Sequence, residues 1–333
     1  MADGMLVAVI ALALVFAYTN GFHDAANAIA SAVSTRALTP RAALALAAVG
    51  NLVGSLLSTG VAVTIAAGII EPPAGGRGMA VLFASVTGAI VWNFTTWYFG
   101  LPSSSSQALI GGMVGAGLAA SVTVYWTSGV VGKVVLPMVI SPIIGMVAGY
   151  GAMIGVLWAL RRANPHRAEH HFRLAQIGSA ASLAIGHGLQ DAQKSMGIIV
   201  LALVTADRQT GFGVPLWVVL LSAAAIGAGT YSGGWRIMRT LGRRIFPLRP
   251  PHGFVAEATS SVVLYLTTFL VHAPISTTHV ITASVMGVGT TRRVSAVRWG
   301  VAREIVLAWI LTLPAAAAVA ALIYPLALLI SGF

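Results

Sequence analysis

The sequence contains no cysteine and very little charge. Of its 333 residues, 8% are charged, whereas an ordinary soluble domain has about 25%. The absence of cysteine excludes disulfide scaffolds, thiolate zinc sites and cysteine nucleophiles. The shortage of charge, together with a hydrophobic content of 57%, excludes a soluble globular, a disordered and a fibrous chain. A chain this apolar is typical of a protein embedded in a lipid bilayer.

Acidic residues are scarcer than basic ones, and the basic residues are clustered. The chain has 8 acidic and 19 basic residues, which gives a net charge of +11. On a soluble protein that charge would suggest a nucleic-acid partner. On a membrane protein it indicates basic cytoplasmic loops, so we expect no nucleic-acid binding. Most basic residues fall in four clusters, which the positive-inside rule places in the cytoplasm: Arg36 and Arg41; Arg161, Arg162, Arg167 and Arg173; Arg236, Arg239, Arg243, Arg244 and Arg249; and Arg292, Arg293, Arg298 and Arg303.

Long uncharged stretches separate these clusters. A helix needs about 20 residues to cross a hydrocarbon layer of roughly 30 Å, and the stretches of about this length or more are 4–22, 42–70, 78–132, 134–160, 209–235 and 305–333. The stretch 78–132 is long enough to cross twice, with a break at residues 100–102. Shorter apolar pieces are predicted to be half-helices or re-entrant hairpins, and they lie at 174–186, 195–206, 258–271 and 280–291. The sequence therefore predicts an all-α polytopic membrane protein with roughly 10–12 membrane segments.

The order of charged and uncharged segments predicts two halves of opposite topology. The first half, 1–160, starts outside, reaches the cytoplasm by residue 36, returns outside, forms a hairpin over 79–120 and ends inside. A basic cytoplasmic linker, 161–173, leads to the second half, 174–333, which repeats that order from the opposite side and leaves the C-terminus outside. The acidic start lacks the basic residues of a signal peptide, so no cleaved signal is expected. The expected location is the inner (plasma) membrane of the cell.

Two motifs occur once in each half, in the same order. Residues 20–27, Asn-Gly-Phe-His-Asp-Ala-Ala-Asn, align with residues 187–194, His-Gly-Leu-Gln-Asp-Ala-Gln-Lys. Farther along, 102–107 (Pro-Ser-Ser-Ser-Ser-Gln) aligns with 274–279 (Pro-Ile-Ser-Thr-Thr-His). The aspartate precedes the proline by 78 residues in the first half (102 − 24) and by 83 in the second (274 − 191). Inverted-topology repeats with sites at broken helices are typical of secondary transporters, and we predict that architecture here.

Asp24 and Asp191 are acidic residues within otherwise apolar segments. A carboxylate at the centre of a bilayer costs at least ~2.5–3.5 kcal/mol on insertion scales, so it needs a partner or a cavity. One interpretation is structural, with each aspartate capping a half-helix. The other, which the duplication favours, is coordination of a coupling cation, sodium or a proton. The residues predicted for that site are Asp24, Asp191, Asn20, Asn27, Gln190, His23 and Glu257, the last as a third coupling acid.

The Ser/Thr runs after Pro102 and Pro274 are typical of helix N-termini. Free N–H groups, hydroxyls and the positive ends of two helix dipoles would together suit one anion. Lys194 has two interpretations, as an anion ligand or, ahead of that, as the ion-pair partner of Asp191 on the same helix. An anion beside two aspartates is repelled unless cations lie between them, which would couple the two solutes. The residues predicted to hold the anion are Ser103, Ser104, Ser105, Ser106, Gln107, Ser276, Thr277, Thr278, His279, Gln193 and Lys194.

At these residues the chain resembles the inorganic phosphate transporter family of the PiT type. That family carries a duplicated Gly-x-Asn-Asp-x-Ala-Asn-like motif, and the copies here begin at Gly21 and Gly188. The Pro-Ser/Thr runs resemble the family's hairpin tips, and the resemblance extends over residues 4–331. It implies an all-helical carrier that moves inorganic phosphate with sodium or protons, with phosphate at the tips and the coupling cation at the Asp motifs. It implies no cofactor besides the coupling ion.

The chain departs from the family pattern at two motif positions. His23 and Gln190 stand where the family usually has asparagine. Members with a similar Gly-Phe-His-Asp look proton-coupled and accept metal–phosphate complexes, which tilts the expectation toward protons. The family also includes sulfate carriers, and a Ser/Thr cradle does not distinguish sulfate from phosphate. A sulfate permease of the same fold is therefore the alternative function.

Two other classes of protein share some of these features. An intramembrane aspartyl protease also has two membrane aspartates, but this chain lacks the Gly-x-Gly-Asp pattern expected there. An anion channel can also contain inverted repeats, although paired acidic sites suit alternating access better. We therefore expect a transporter and not an enzyme. Its expected partners are phosphate, the coupling cation and the lipid bilayer, and pairing of two copies as a homodimer stays open.

Overall fold

The computed structural model describes residues 2–234, 237, 238, 240 and 244–331. Arg236, Arg239 and Arg243 of the third basic cluster lie outside the described residues, as does the predicted return to the inside by residue 236. Within the described residues the chain forms eleven α-helices. They are α1 (Ala2–Ser34), α2 (Pro40–Ser55), α3 (Gly60–Gly68), α4 (Gly76–Phe99), α5 (Ser105–Ala119), α6 (Leu136–Ala159), α7 (Pro165–Thr205), α8 (Leu216–Ser232), α9 (Pro250–Leu266), α10 (Thr277–Thr290) and α11 (Trp299–Ile330).

Short irregular elements join some of these helices. A π-helical segment, Trp126–Val135, leads directly into α6, and a second one, Thr267–Val271, extends α9. A single 3-10 turn, Val294–Ala296, precedes α11. Two short strands, β1 (Ile70–Glu71) and β2 (Thr123–Val124), form an antiparallel ribbon. This ribbon ties the loop after α3 to the loop after α5, so both loops lie on one face.

Five helical segments are long and apolar enough to cross a membrane, and a sixth is obtained if α2 and α3 are one broken span with a bend of 68°. The other helices are shorter or more polar, and they pack among these six. The chain is therefore an all-helical polytopic membrane protein. Counting α2 and α3 as one, the described residues form ten helical segments, of which five or six qualify as membrane spans, whereas 10–12 membrane segments were predicted. The five spans are Asp3–Ser34, Gly76–Phe99, Trp126–Ala159, Pro250–Val271 and Trp299–Ile330.

The predicted half-helices at 174–186 and 195–206 are wrong. Both pieces belong to α7, a single helix of 41 residues that continues through Asp191. The helix does not break there because Asp191 finds partners on its own helix, His187 one turn before it and Lys194 one turn after it. The first motif helix, α1, likewise runs unbroken through its aspartate. Neither aspartate caps a half-helix, which removes the structural alternative considered for them.

Breaks do occur at the two predicted hairpins. α4 and α5 meet at a first tip, 100–104, and α9 with its π-helical extension meets α10 at a second tip, 272–276. Ser104 caps α5, and its side chain accepts a hydrogen bond from the backbone N–H three residues later. Ser276 caps α10 in the same way. Because the two caps occupy the same position in the aligned motifs, the two tips share one local structure.

Helices of each half pack against helices of the other half. α1 of the first half lies against α8 of the second, and α7 of the second lies against α2 of the first. In the same way α5 packs against α11, and α10 packs against α6. This exchange is the packing expected of two repeats related by a two-fold axis. The described residues of each half form five helical segments, with α2 and α3 counted as one. Helix α7 begins at Pro165, inside the segment 161–173 that was predicted as a linker.

The aligned glycines of the first motif, Gly21 and Gly188, permit this close packing. A Cβ atom on Gly188 would lie 2.1 Å from the backbone oxygen of Asn51 on α2. A Cβ atom on Gly21 would lie 2.4 Å from the backbone oxygen of Ile226 on α8. Both distances are far below van der Waals contact, so a larger residue would push the helices apart. The two motif helices therefore cross their partners within one turn of the aspartates.

Candidate functional site

Four elements meet at the centre of the candidate site: the middles of α1 and α7 and the two hairpin tips. The aspartates come from the helices, and the hydroxyl side chains come from the tips and the first turns that follow them. Asp24 and Asp191 are 2% and 1% exposed. Carboxylates this deeply buried need partners that offset their loss of hydration.

Asp24 is bound by groups from both hairpins. Its Oδ2 accepts a hydrogen bond of 2.9 Å from Ser105 Oγ, and its Oδ1 accepts one of 3.2 Å from Thr278 Oγ1. His23, its neighbour on α1, contacts Oδ1 through Nδ1 at 2.9 Å. The other ring nitrogen of His23 lies 3.0 Å from Thr96 Oγ1 on α4. Asp24 therefore joins α1 to the first turns of both α5 and α10.

Asp191 is bound within its own helix and forms an ion pair. Lys194 Nζ lies 2.8 Å from Asp191 Oδ1, and His187 Nε2 lies 3.0 Å from Oδ2. His187 is oriented by Asn51 of α2, whose Oδ1 lies 2.9 Å from its Nδ1. Lys194 is 1% exposed, and a buried ammonium group needs an anionic partner of this kind. Both oxygens of Asp191 are thus in contact with nitrogen atoms of α7.

Ser105 connects the two aspartates. Lys194 Nζ donates a hydrogen bond of 2.9 Å to Ser105 Oγ, and Ser105 in turn donates to Asp24. A continuous path of polar atoms therefore runs from Asp191 to Asp24. Ligand atoms of Asp24, Asp191 and His187 also lie within 4.8 Å of one another. Two carboxylates and an imidazole in this arrangement have the chemistry to hold a cation.

The first turn of α5 also contacts the second tip. Ser106 Oγ donates a hydrogen bond of 3.0 Å to the backbone oxygen of Ile275. Ser103 Oγ donates one of 2.8 Å to Thr96, and it lies 3.3 Å from His23 Nε2. The N-termini of α5 and α10 are thereby fixed beside the same aspartate. The positive ends of two helix dipoles then act on one buried region, which favours an anion there.

Three further residues that were predicted to hold the anion lie at the starts of α5 and α10, namely Ser104, Ser276 and Thr277. The hydroxyl groups of Ser104 and Ser276 accept backbone hydrogen bonds as helix caps. Thr277, the first residue of α10, is 4% exposed. The caps keep the next N–H groups of each helix oriented along the axis, toward the N-terminal end.

The structure does not bring Gln107 and His279 into hydrogen-bond contact with the aspartates. Both residues line a groove of about 380 Å³ between α6 and α11. The ring of His279 stacks on Trp309 of α11 with 3.9 Å between ring centroids. Successive helical residues are rotated by about 100°, so Gln107 points away from the side of α5 that carries Ser105. The sequence pattern identified where α5 and α10 begin, but it did not predict which face of each helix points toward the aspartates.

The two asparagines predicted as cation ligands lie on α1 within one turn of Asp24. Asn27 Nδ2 donates a hydrogen bond of 2.8 Å to Thr278 Oγ1, so it holds the second hairpin as Ser105 holds the first. Asn20 is fully buried, and its amide atoms have no hydrogen-bond partner among the described residues. A buried amide of this kind is a ready ligand for a bound ion or water.

The two glutamines of the second motif bind other parts of the protein. Gln190 Nε2 donates to Thr268 Oγ1 at 2.8 Å and to a backbone oxygen of the second tip at 3.2 Å. Gln193 accepts a hydrogen bond of 3.1 Å from the backbone N–H of Ala62 on α3, and its own amide donates to a backbone oxygen of α7. Gln190 therefore positions the second tip, whereas Gln193, predicted as an anion ligand, contacts α3 instead.

Glu257 forms a second buried polar cluster, away from the aspartates. Its carboxylate accepts hydrogen bonds from Ser31 of α1 and from Gln176 and Ser179 of α7. Ser31 follows Asp24 by seven residues, which is about 10 Å along a helix. The predicted third acid is thus fully buried and connected to the aspartates through α1, not by direct contact.

Sequence reasoning missed two residues of the site and left His187, a candidate for proton handling, outside the predicted cation ligands. His187 precedes Asp191 by four residues, and such spacing puts both on one helix face. Thr96 and Asn51 were missed because they lie 73 and 136 residues from the histidines they contact. Only the fold brings them into place.

A comparison with known families and relatives covers nearly the whole chain. The phosphate transporter family model matches residues 20–320. A relative from Mycobacterium tuberculosis (strain H37Rv) is 46% identical over 99% of this chain and 79% of its own length. One from Bacillus subtilis is 42% identical over 96% of each chain, and one from Rhizobium meliloti is 47% identical over 97% of each chain. All three are named probable low-affinity inorganic phosphate transporter.

A solved structure of a sodium-dependent phosphate transporter has the same fold. It superimposes with a TM-score of 0.88, covers 97% of this chain and 98% of its own, and is 24% identical in sequence. At this identity the likeness concerns the fold alone. The predicted all-helical polytopic architecture is confirmed.

Proposed function

Because the chain belongs to the phosphate transporter family, we propose that it moves inorganic phosphate across a membrane by symport with a cation, sodium or a proton. The members of this family are transporters and not enzymes. The observation that carries the symport proposal is the contact of both Asp motifs with a single side chain of the first hairpin, Ser105, while Thr278 of the second hairpin binds the same Asp24. Phosphate and cation would therefore bind next to each other.

The phosphate site is proposed at the two tips. Helix N-termini present N–H groups to an oxyanion, and the hydroxyls of Ser103, Ser106 and Thr277 lie in the same buried region. Ser105 and Thr278 donate their hydroxyl hydrogens to Asp24. A cation bound to Asp24 would satisfy the carboxylate and free these two donors for phosphate. Binding of the cation would thus assemble the phosphate site.

Coulombic repulsion gives the same coupling. A phosphate charge about 4 Å from a carboxylate is repelled by about 4 kcal/mol at an effective dielectric constant of about 20. A cation between Asp24, Asp191 and His187 would cancel most of that repulsion. Each solute then raises the affinity of the site for the other, as linkage requires. The two move together because either one alone is bound weakly.

The identity of the cation is part of the proposal. Carboxylate and amide oxygens, including the unsatisfied amide of Asn20, suit sodium as hard ligands. Each aspartate also contacts a histidine, His23 or His187, and that pairing suits a proton. In the proton-coupled form the substrate would be a metal–phosphate complex as well as the free anion.

Glu257 is proposed as a third coupling acid. Its carboxylate is fully buried and has hydroxyl and amide partners but no basic one among the described residues. A small cavity along α1 is lined by Asn27, Thr282 and Ser31, the residue that binds Glu257. A cation leaving Asp24 in that direction would reach Glu257 next. Glu257→Gln should then lower uptake driven by a cation gradient, and unchanged uptake would leave Glu257 a structural residue.

The membrane arrangement is proposed from the charge pattern. The protein is expected in the inner (plasma) membrane with both termini outside, which puts the basic clusters in the cytoplasm. Glu257 then lies on the cytoplasmic side of the aspartates, because α1 starts outside and Ser31 is near its inner end.

Uptake into proteoliposomes tests the proposal. Purified protein is reconstituted, and labelled phosphate is added under an inward sodium gradient, an inward proton gradient or neither, with protein-free liposomes as the control. Accumulation driven by one gradient establishes symport and names the cation. Inhibition of phosphate uptake by excess sulfate identifies a sulfate carrier. Inhibition of phosphate uptake by chelation of divalent metals identifies a metal–phosphate substrate. Phosphate flux that is independent of both the sodium and the proton gradient would contradict symport and indicate a channel.

A further inference from the structure

The two aligned motifs end in different residues, Asn27 in the first repeat and Lys194 in the second. Each of them reaches a hydroxyl group of the other repeat. Asn27 Nδ2 donates to Thr278 Oγ1 at 2.8 Å, and Lys194 Nζ donates to Ser105 Oγ at 2.9 Å. Both side chains therefore reach the first turn of the hairpin helix of the other repeat, at positions that differ by one residue in the alignment, but only one of the two side chains carries a charge.

The two aspartates are consequently neutralised to different extents. Asp191 has the Lys194 ammonium at 2.8 Å and His187 on its other oxygen. The described residues place no lysine or arginine in contact with Asp24, whose partners are two hydroxyls and His23. The internal repeat thus contains one aspartate with a permanent counter-ion and one without.

We propose that Lys194 is a built-in counter-ion that takes the place of one transported cation. With His23 and His187 neutral, two carboxylates and one ammonium leave a single negative charge at the site, which one monovalent cation neutralises. A site with a neutral residue at position 194 would need a second cation before it accepted phosphate. The residue at this position therefore sets how many cations accompany each phosphate. The inference rests on the proposed function and deepens it.

The position of the ammonium supports this role. Lys194 is 1% exposed and is covalently fixed, so its charge stays at the site when phosphate and cation leave. Its contact with Ser105 also places the charge at the start of α5, where the phosphate site is proposed. A cation at this point reduces the repulsion between Asp191 and a bound anion without being consumed in the transport cycle.

Lys194→Met tests the inference because it removes the charge and keeps most of the side-chain volume. Equilibrium binding of labelled phosphate to the detergent-purified protein is measured in two series, one in which sodium chloride replaces choline chloride at fixed pH and one in which pH is varied at fixed sodium. The slope of log phosphate affinity against log concentration of the coupling cation, sodium or the proton, counts the cations linked to phosphate. For the cation on which binding depends, the slope should rise by about one in Lys194→Met relative to the unaltered protein. An unchanged slope overturns the inference.

The chain offers a matched control and a rescue. Lys133 is its only other lysine and is exposed, so Lys133→Met removes the same charge elsewhere and should keep the original slope. The double variant Asp191→Asn/Lys194→Met removes both charges of the ion pair, and the slope should return to the original value. A double variant that keeps the raised slope would show that the effect of Lys194 is not its charge.

Two further outcomes are distinguishable. Should Lys194→Met fail to fold, Asn27→Lys provides the converse test, since an ammonium added beside Asp24 should lower the slope by about one or abolish it. If that slope does not fall, the inference is wrong. If the unaltered protein binds no phosphate at any sodium concentration or pH, the proposed function fails. If it binds phosphate and all variants share its slope, only the role of Lys194 fails.

Discussion

Ser105 binds two of the three charged groups of the site, Asp24 and Lys194. Its single hydroxyl accepts from Lys194 and donates to Asp24, so it uses its one hydrogen and a lone pair in the same network. Its neighbour Ser104 is also buried but has a different task, because it caps α5. Of these two adjacent serines, Ser105 therefore has a functional role and Ser104 a structural one.

Substitution of each serine by alanine should separate these roles. Ser105→Ala removes hydrogen bonds to two charged groups, and such bonds contribute about 1.5–3 kcal/mol each, so phosphate uptake should fall on the order of tenfold or more. Ser104→Ala removes a helix cap and should cost about 1 kcal/mol of stability with a smaller loss of uptake. Uptake assays and thermal unfolding of both variants check this. Full uptake by Ser105→Ala would remove it from the site.

Single residues were predictable from the sequence where they are charged residues within otherwise apolar segments. Asp24 and Asp191 are conspicuous in apolar segments, and the three-residue spacing of Lys194 suggested its ion pair, which the structure contains. The partners from distant segments, such as Thr96 and Asn51, were not predictable, because no local pattern marks them. Gln107 was predicted on the right helix but not on the right face.

At the scale of elements, the hairpins were predictable and the continuity of the motif helices was not. Proline followed by Ser/Thr marks a helix start wherever it occurs, and both tips begin helices there. The polar run at 187–194 suggested a broken helix, but the structure satisfies its charges inside α7. A hydropathy pattern measures the cost of burying polar groups alone, and it does not register partners that offset that cost.

The glycine of the second motif gives a prediction about the contact of α2 and α7. A methyl group at Gly188 would overlap the Asn51 backbone oxygen, so Gly188→Ala should destabilise the protein by about 1–3 kcal/mol or more. Gly178→Ala, on the same helix but with open space around it, should be neutral or stabilise by up to about 1 kcal/mol. Thermal unfolding in detergent compares them. Equal stability of the two variants would mean that α2 and α7 do not pack this closely.

At the scale of the whole molecule, the internal repeat was predictable because two motifs recur in one order. The exchange of packing partners between the halves could not be derived from the motifs, since it depends on how the second half meets the first. The orientation in the membrane comes from the charge pattern alone and needs its own test.

The absence of cysteine makes that test direct. Thr210 follows α7 and Ala163 follows α6, and both are exposed. In the expected orientation Thr210→Cys should react with a membrane-impermeant maleimide added to intact cells, and Ala163→Cys should react only after the cells are opened. The reverse pattern would invert the topology and place Glu257 on the outer side of the aspartates. Protein without any introduced cysteine is the background control.

The central claim is that cation and phosphate share one site built on Asp24. The most direct measurement is the phosphate dissociation constant with and without saturating cation, for the unaltered protein, for Asp24→Asn and for Asp207→Asn, an exposed loop acid that serves as control. The account predicts that sodium or acidification strengthens phosphate binding about 5–150-fold in the unaltered and control proteins, which corresponds to 1–3 kcal/mol of coupling. It predicts that this effect is lost in Asp24→Asn. Phosphate binding that is independent of both cations, or undiminished coupling in Asp24→Asn, would contradict the account.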